Sequence, residues 1–445
     1  MITDDLGLGW NPLYFWLPGL CDILVALISS WIPDSRTDEF MAGAIEFVDG
    51  GTVTTPRGFS AGATYAGLKT FAEDKLDLGL ILSEAPCTAA GVYTTNAIRS
   101  ACVTVTKEHV DQGQIRGLVV NAGIANTCVG DQGYKDAQEM AVLAGNRLGV
   151  QPDEIVVCST GVIGVELPMA LIRNGIEVIE MAADGGSALA RAMMTTDTRP
   201  KEVAVTFEVD GHQASIGGVA KGSGMIHPNM ATMLSFVTTD LAVEKEFLQQ
   251  TLREVADFSY NMLTIDGDSS TNDIVVVLAN GLAGNDPVSA GSPGADIFKD
   301  ALMEACIHLS REIARDGEGA TRLIIVEVAG AASIQDARIG ARTVASSNLV
   351  KSAVYGADPN WGRVLMALGR SGARVEESKV DLFVNGVCIM QSGLPIPFHR
   401  DAVVALMRSA EVTFRLQLNL GEGEATAWGC DLTEEYVIIN SAYTT

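Results

Sequence analysis

Residues 220–239 read AKGSGMIHPNMATMLSFVTT. The run begins on a glycine loop, Gly222 and Gly224, that follows a hairpin signature. It passes through Pro228 into an apolar, β-type segment that carries Thr232. Glycines beside a lysine suggest phosphate binding, but a phosphate loop would read GxxxxGK[ST], and Lys221 is out of that frame. Gly222-Ser223-Gly224 does not complete GxGxxG either. On local pattern alone the stretch is a glycine-rich turn feeding a buried strand.

Working outward, residues 203–209 and 213–217 flank Asp210-Gly211, the signature of a two-residue β-hairpin. Residues 380–384 and 387–390 flank Asn385-Gly386 in the same way. The segment TPRGFSAG, within 53–62, reads as a turn. Short apolar or alternating runs predict strands at 78–82, 101–106, 115–120, 274–279 and 323–329. Helical spacing predicts helices at 134–148, 244–262, 296–315 and 334–347. Gly149 stands as a C-cap, and a helical stretch over 188–194 gives way to TTDTRP. Residues 155–158 form an apolar run ending in a loop at Ser159-Thr160-Gly161. This mixture predicts an α+β fold, a layered αββα-type sandwich rather than an all-parallel sheet. A boundary is expected near 281–296, GLAGNDPVSAGSPGAD, which is rich in Gly, Pro and Asp.

The 445 residues allow about two to four domains and a core that needs no disulfide or metal. Thirty basic against 55 acidic residues give a net charge of −25. That argues against nucleic acid, whose phosphates need basic patches, and against docking on anionic membranes. The charge itself mainly serves solubility. The eight cysteines are scattered with no CxxC, as expected for reduced thiols in the cytoplasm. The five histidines are dispersed, so no metal site is expected.

Residues 7–33, GLGWNPLYFWLPGLCDILVALISSWIP, stand apart. They hold one charge, Asp22, and are long enough to span a bilayer with Trp at both ends. Pro12 and Pro18 interrupt them, and Asp4 and Asp5 lie where a signal peptide would be basic. Three readings stay open: an extension outside the main fold with the true start near Met41, a membrane- or partner-binding helix, and a span.

Seven stretches, in order, resemble the ornithine acetyltransferase family, also called glutamate N-acetyltransferases. They are Cys158-Ser159-Thr160-Gly161; Met194-Thr195-Thr196-Asp197; the 221–234 run with Lys221-Gly222-Ser223-Gly224-Met225 and Pro228 through Leu234; Ser270-Thr271-Asn272-Asp273; Asp316-Gly317-Glu318-Gly319-Ala320-Thr321; Asp358-Pro359-Asn360-Trp361-Gly362-Arg363; and Asn440 through Thr445. The resemblance covers about 44–445. It implies a 1–43 extension, a catalytic domain over 44–283 and a smaller C-terminal α/β domain over 284–445.

The resemblance also implies self-cleavage between Ala231 and Thr232, giving chains 1–231 and 232–445, expected to assemble as an α2β2 heterotetramer. The Thr232 hydroxyl would attack the preceding carbonyl, and water would release the ester. The freed α-amine has an ordinary pKa near 7.7–8.0 and can serve as the hydroxyl's own base. No Ser-His-Asp set is then needed. The family's oxyanion hole maps to Thr160 and Gly161, a hydroxyl and a backbone N–H. Substrate contacts map to Thr195, Lys221, Thr232, Glu318, Asn440 and Thr445. A lysine suits a carboxylate as a point charge, and Glu318 suits a cationic group.

The implied reaction moves acetyl from N-acetylornithine to glutamate through acetyl-Thr232, as part of arginine biosynthesis. Acetyl-CoA is a further donor in some members, so both monofunctional and bifunctional forms remain open. No bound cofactor is required, because nucleophile and oxyanion donors are all protein groups. Two rivals are an aminopeptidase or amidase on the same self-cleaving fold and a membrane-tethered binding protein. His227 and Arg322 depart from the family pattern; an exposed loop is expected for His227.

Overall fold

The computed structural model describes residues 45–69, 75–227 and 233–442. Residues 7–33, Ala231, Thr232 and Thr445 therefore lie outside the described residues. The strands β1 (Glu46–Phe47), β2 (Phe59–Thr64), β3 (Leu78–Tyr93), β4 (Ile115–Ile124), β5 (Ile155–Val162), β6 (Lys201–Val209), β7 (His212–Lys221), β8 (Leu234–Thr239) and β9 (Ile274–Ala279) hydrogen-bond in one path. Its order is β1-β6-β7-β8-β9-β3-β4-β5, with β2 on β3. At 16 residues, β3 serves two layers: its first half pairs with β2 and β4, its second with β9.

Period-two alternation then sorts side chains into three cores. Leu118, Val120, Val156 and Cys158 from β4 and β5 meet Leu234, Phe236, Val276 and Leu278 from β8 and β9 between the layers. The opposite faces, Val119 and Val157 on one side, Val237 and Val277 on the other, meet helices. Helices Gly130–Leu148 and Met169–Val178 cover the first, and Lys245–Phe258 and Ala295–Arg315 cover the second. The architecture is an α+β sandwich layered αββα.

The strands β10 (Leu323–Ala331), β11 (Asp381–Val384), β12 (Val387–Gln391), β13 (Leu394–Pro395), β14 (Glu411–Gln417) and β15 (Gly423–Cys430) form a second sheet, ordered β13-β12-β11-β14-β10-β15. Its apolar face joins the core that also covers β6 to β9, and the chain from Gly43 onward makes one compact unit.

Both hairpins form as their turn residues dictate. Asp210 and Gly211 have φ of 50° and 79°, and Asn385 and Gly386 have 46° and 81°. Such paired positive φ values match the right-handed twist of the strands. Gly149 ends its helix at φ 72°, its N–H on the Gly145 carbonyl.

Three local expectations fail, the first being the turn read over 53–62, which gives way at Phe59 to strand β2. ACVTVT at 101–106 is not a strand but the first half of the helix Ala101–Gln112. The Ser100 hydroxyl caps it by accepting the Cys102 N–H at 3.3 Å, and the buried set Cys102, Val103, Val105, Thr106 and Val110 follows a helix face. Ser159-Thr160-Gly161 is not a loop but the continuation of β5, paired to Asn121, Ala122 and Gly123 of β4.

Candidate active site

Strand ends from both layers open on one cleft. Thr160 and Gly161 come from β5, Lys221 from the end of β7, and Leu234 from the start of β8. Thr195, Glu318 and Asn440 complete the walls, and Thr271, Asn272 and Asp273 approach from the segment before β9. The space amounts to about 720 Å3 including its open mouth. Every expected site residue that lies among the described residues is in this cleft, although the set spans 160 to 440 in sequence. Thr232 is two positions before Leu234 in the chain.

The Lys221 ammonium is buried and donates to Thr160 Oγ1 at 3.0 Å. That hydroxyl, accepting from lysine, keeps its own proton free for another acceptor. Burial pulls the Lys221 pKa down, while Asp197, Asp273 and Glu318 pull it back up. Gly161 has φ 130°, and a Cβ there would fall 2.2 Å from the Gly123 backbone. Only glycine fits against that neighbouring strand, and Gly161 lines the cleft.

Glu318 is held by the glycine loop and by the final helix. Its N–H donates to the Ser223 carbonyl at 2.8 Å, and Asn440 Nδ2 donates to its Oε2 at 2.6 Å. A Cβ on Gly224 would lie 2.4 Å from the Glu318 carboxylate, so the glycine loop makes room for that acid. Asn440 belongs to the helix Glu434–Ala442, so the C-terminal segment does turn back onto the cleft.

Four residues that were assigned no role shape the cleft: Asn272, Lys201, Asp197 and Asp273. Asn272 Nδ2 donates to the carbonyls of Ala125 and Ser159, at 2.6 and 2.8 Å, and its Oδ1 accepts from Thr127 at 2.9 Å. This clamp fixes the strand just before Thr160. Lys201 is fully buried and bridges Asp197 and Asp316, at 2.5 Å each. Asp197 also accepts the N–H groups of Thr195 and Gly222, tying both loops to one carboxylate. Burial would raise the Asp197 pKa, but Lys201 and Lys221 overcome it and hold the carboxyl well below the usual range. Asp273 is nearly fully buried, and burial pushes its carboxyl well above the usual range, against Ser270 and Lys221, which favour the ionised form. The motif stretches contained Asn272, Asp273, Asp197 and Asp316; nothing around Lys201 announced it.

His227 is not in an exposed loop. It is half-buried, with Nδ1 2.9 Å from Thr264 Oγ1. Burial, then Arg342, lowers its pKa to about 4. Arg322 lies outside the cleft: it donates to the carbonyls of Val354 and Tyr355 at 3.2 and 3.0 Å and faces Asp431. Among the described residues no cluster of His, Cys, Asp or Glu could hold a metal ion.

An αββα sandwich with a buried lysine, a threonine hydroxyl and a carboxylate converging at its strand ends defines an enzyme acting on a small polar molecule. The chain belongs to the ArgJ family, whose model matches residues 60–445. It is 52% identical over 403 residues to the arginine biosynthesis bifunctional protein ArgJ of Symbiobacterium thermophilum, covering 90% of this chain and all of that one. It is 44% identical to the same-named protein of Bacillus subtilis, over 89% of this chain and 97% of that one. Among solved structures, an ornithine acetyltransferase from Mycobacterium tuberculosis complexed with ornithine is 36% identical. That match covers 42% of this chain and all of the other, with a TM-score of 0.39.

Proposed function

We propose that the protein is an arginine-biosynthesis acetyltransferase that carries acetyl from N-acetylornithine to glutamate on Thr232. The observation that carries this reading is the convergence of Thr160, Gly161, Thr195, Lys221, Glu318 and Asn440 in one cleft, at the strand into which Thr232 leads. On this reading the Thr232 hydroxyl first attacks the Ala231 carbonyl. The peptide bond becomes an ester, and water frees Ala231 as a carboxylate and Thr232 as an α-amine.

In turnover the hydroxyl attacks the acetyl carbonyl and gives its proton to the α-amine. The Thr160 hydroxyl and the Gly161 N–H receive the oxyanion. Lys221 strengthens Thr160 as a donor by polarising the oxygen it donates from. The intermediate collapses, ornithine leaves with the proton on its amine, and acetyl stays as an ester on Thr232. The glutamate amine then attacks that ester and leaves as N-acetylglutamate. Glu318, held by Asn440, suits the cationic side chain of ornithine; Lys221, Thr195 and Thr445 suit the carboxylate end.

Acetyl-CoA is the second acetyl donor on this reading, consistent with relatives named bifunctional. Every reacting group belongs to the chain, so no bound cofactor is called for. The reading places the enzyme in the cytoplasm, with both product chains paired as α2β2.

Intact-mass measurement after adding N-acetylornithine tests it. Chains 1–231 and 232–445 should appear, with one acetyl on the peptide beginning at Thr232. Uncut chain after long incubation, or acetyl elsewhere, would remove the assignment.

A further inference from the structure

The pair Thr160-Gly161 lies where its own sheet holds it least. The strand β5 is the last in its sheet path, so one of its edges has no strand neighbour. On the other edge the ladder to β4 loses its register at this point: Ile124 is set against both Thr160 and Val162. Two donors meant for one oxyanion need closer placement than an irregular strand end provides.

Asn272 supplies it from the other layer, in the segment that leads into β9. Its amide nitrogen donates to the Ser159 carbonyl at 2.8 Å, just before Thr160. It also donates to the Ala125 carbonyl at 2.6 Å. Ala125 in turn donates its N–H to the Val162 carbonyl at 2.9 Å, just after Gly161. One amide therefore holds the chain on both sides of the pair, directly before it and through Ala125 after it.

The orientation of that amide is fixed by its partners. Both groups facing the nitrogen are carbonyls, which can only accept. The oxygen faces two hydroxyls, accepting from Thr127 at 2.9 Å and from Thr271. Two donors and two lone pairs are all engaged, and the residue is 6% exposed. Asn272 lines the cleft, yet it has no hydrogen bond left to give a substrate.

We infer that Asn272 is a positioning residue for the oxyanion hole, setting Thr160 and Gly161 by holding the chain on either side of them. The inference rests on the proposed reading of those two residues as the oxyanion donors. The oxyanion exists only in the transition state, so a displaced hole costs rate and leaves substrate binding almost unchanged. A misplacement of about 1 Å is enough to cost about 100-fold.

The test uses the full chain as wild type, Asn272→Ala, Asn272→Gln, Thr160→Val and the double variant Asn272→Ala/Thr160→Val. Intact mass follows cleavage, the urea midpoint follows folding, and N-acetylornithine kinetics are referred to the cut fraction. Asn272→Ala should lose about 10- to 100-fold in kcat with KM within about twofold. Asn272→Gln carries the same amide on a longer stem and should lose about 3- to 10-fold, again in kcat. In the Thr160→Val background Asn272→Ala should cost at least about 5-fold less than it does alone, because one of the donors it places is already gone. A loss of stability by itself produces neither the split between kcat and KM nor this coupling. Wild-type kcat in a folded, cut Asn272→Ala overturns the inference, as do a loss that falls on KM and losses that multiply in full. If Asn272→Ala folds but stays uncut, the cleavage rate is the readout, since cutting also passes through an oxyanion: Thr160→Val should then be cut slowly too, and Thr160→Val cut at the wild-type rate overturns the inference. If Asn272→Ala does not fold, Asn272→Gln decides: wild-type kcat, or a loss carried by KM, overturns it. Wild type that takes no acetyl on Thr232 brings down the reading of the site itself. Wild type acetylated there, beside an Asn272→Ala with full kcat, brings down this inference alone.

Discussion

Two buried lysines enter from neighbouring strands and are neutralised in different ways. Lys201 opens β6 behind the cleft, opposite Ala220, and touches two carboxylates. Lys221 ends β7 in the cleft itself and, among the described residues, donates only to a neutral hydroxyl, that of Thr160; its countercharges, Asp197, Asp273 and Glu318, act without a direct bond. The first arrangement spends all its charge on holding loops together. The second keeps charge available for a molecule that enters. The difference is between an ion pair that shapes a site and a cation that works in one.

The largest expected effect falls on the first region. Lys201→Met would leave Asp197 and Asp316 buried without their shared cation. Removing one partner of a buried pair typically destabilises by about 3–5 kcal/mol. The urea midpoint should drop accordingly at an unchanged slope. A midpoint close to wild type would mean that the triad is no more structural than Lys221.

Lys221→Met should do the converse. Its burial already disfavours its charge, so stability should change by about 1 kcal/mol or less, the scale of one hydrogen bond. Its kcat should fall about 100-fold, the scale of a lost oxyanion donor. Thr160→Val should cost a similar factor, and the double variant should be hardly slower than either single one. Multiplying losses would show that Lys221 acts on the substrate independently of Thr160, and would separate the two roles that the cleft leaves to it.

What could be read in the sequence follows the same division. The hairpins were legible because Asp210-Gly211 and Asn385-Gly386 carry their own backbone geometry. The cleft residues were legible only through resemblance to a family, since no local spacing links Thr160, Lys221, Glu318 and Asn440. ACVTVT misled because its period of two outweighed a single N-cap, Ser100, whose effect shows only in the hydrogen bond it makes. Lys201 could not be anticipated, since its second carboxylate, Asp316, lies 115 positions away and a lysine in a strand is ordinarily a surface residue; Asn272 stood in a motif stretch, but its clamp on Ser159, 113 positions away, shows only in the fold.

The smallest effect concerns pH and sets His227 against Asp197. Burial and Arg342 lower the His227 pKa from 6.5 to about 4. The unfolded chain therefore takes up this proton first as pH falls, and His227 removes stability progressively from about pH 6.5 down to about 4. Asp197 has the opposite sign. Its carboxyl is held well below the ordinary range, so its contribution is complete above the unfolded value near 3.9 and is lost only below that. The two windows barely overlap. His227→Gln should thus flatten the fall in urea midpoint between about pH 6.5 and 4 and leave the steeper acid limb below pH 4 in place. A variant that removes the lower limb instead would assign acid sensitivity to the loop before Thr232 rather than to the ion triad behind it.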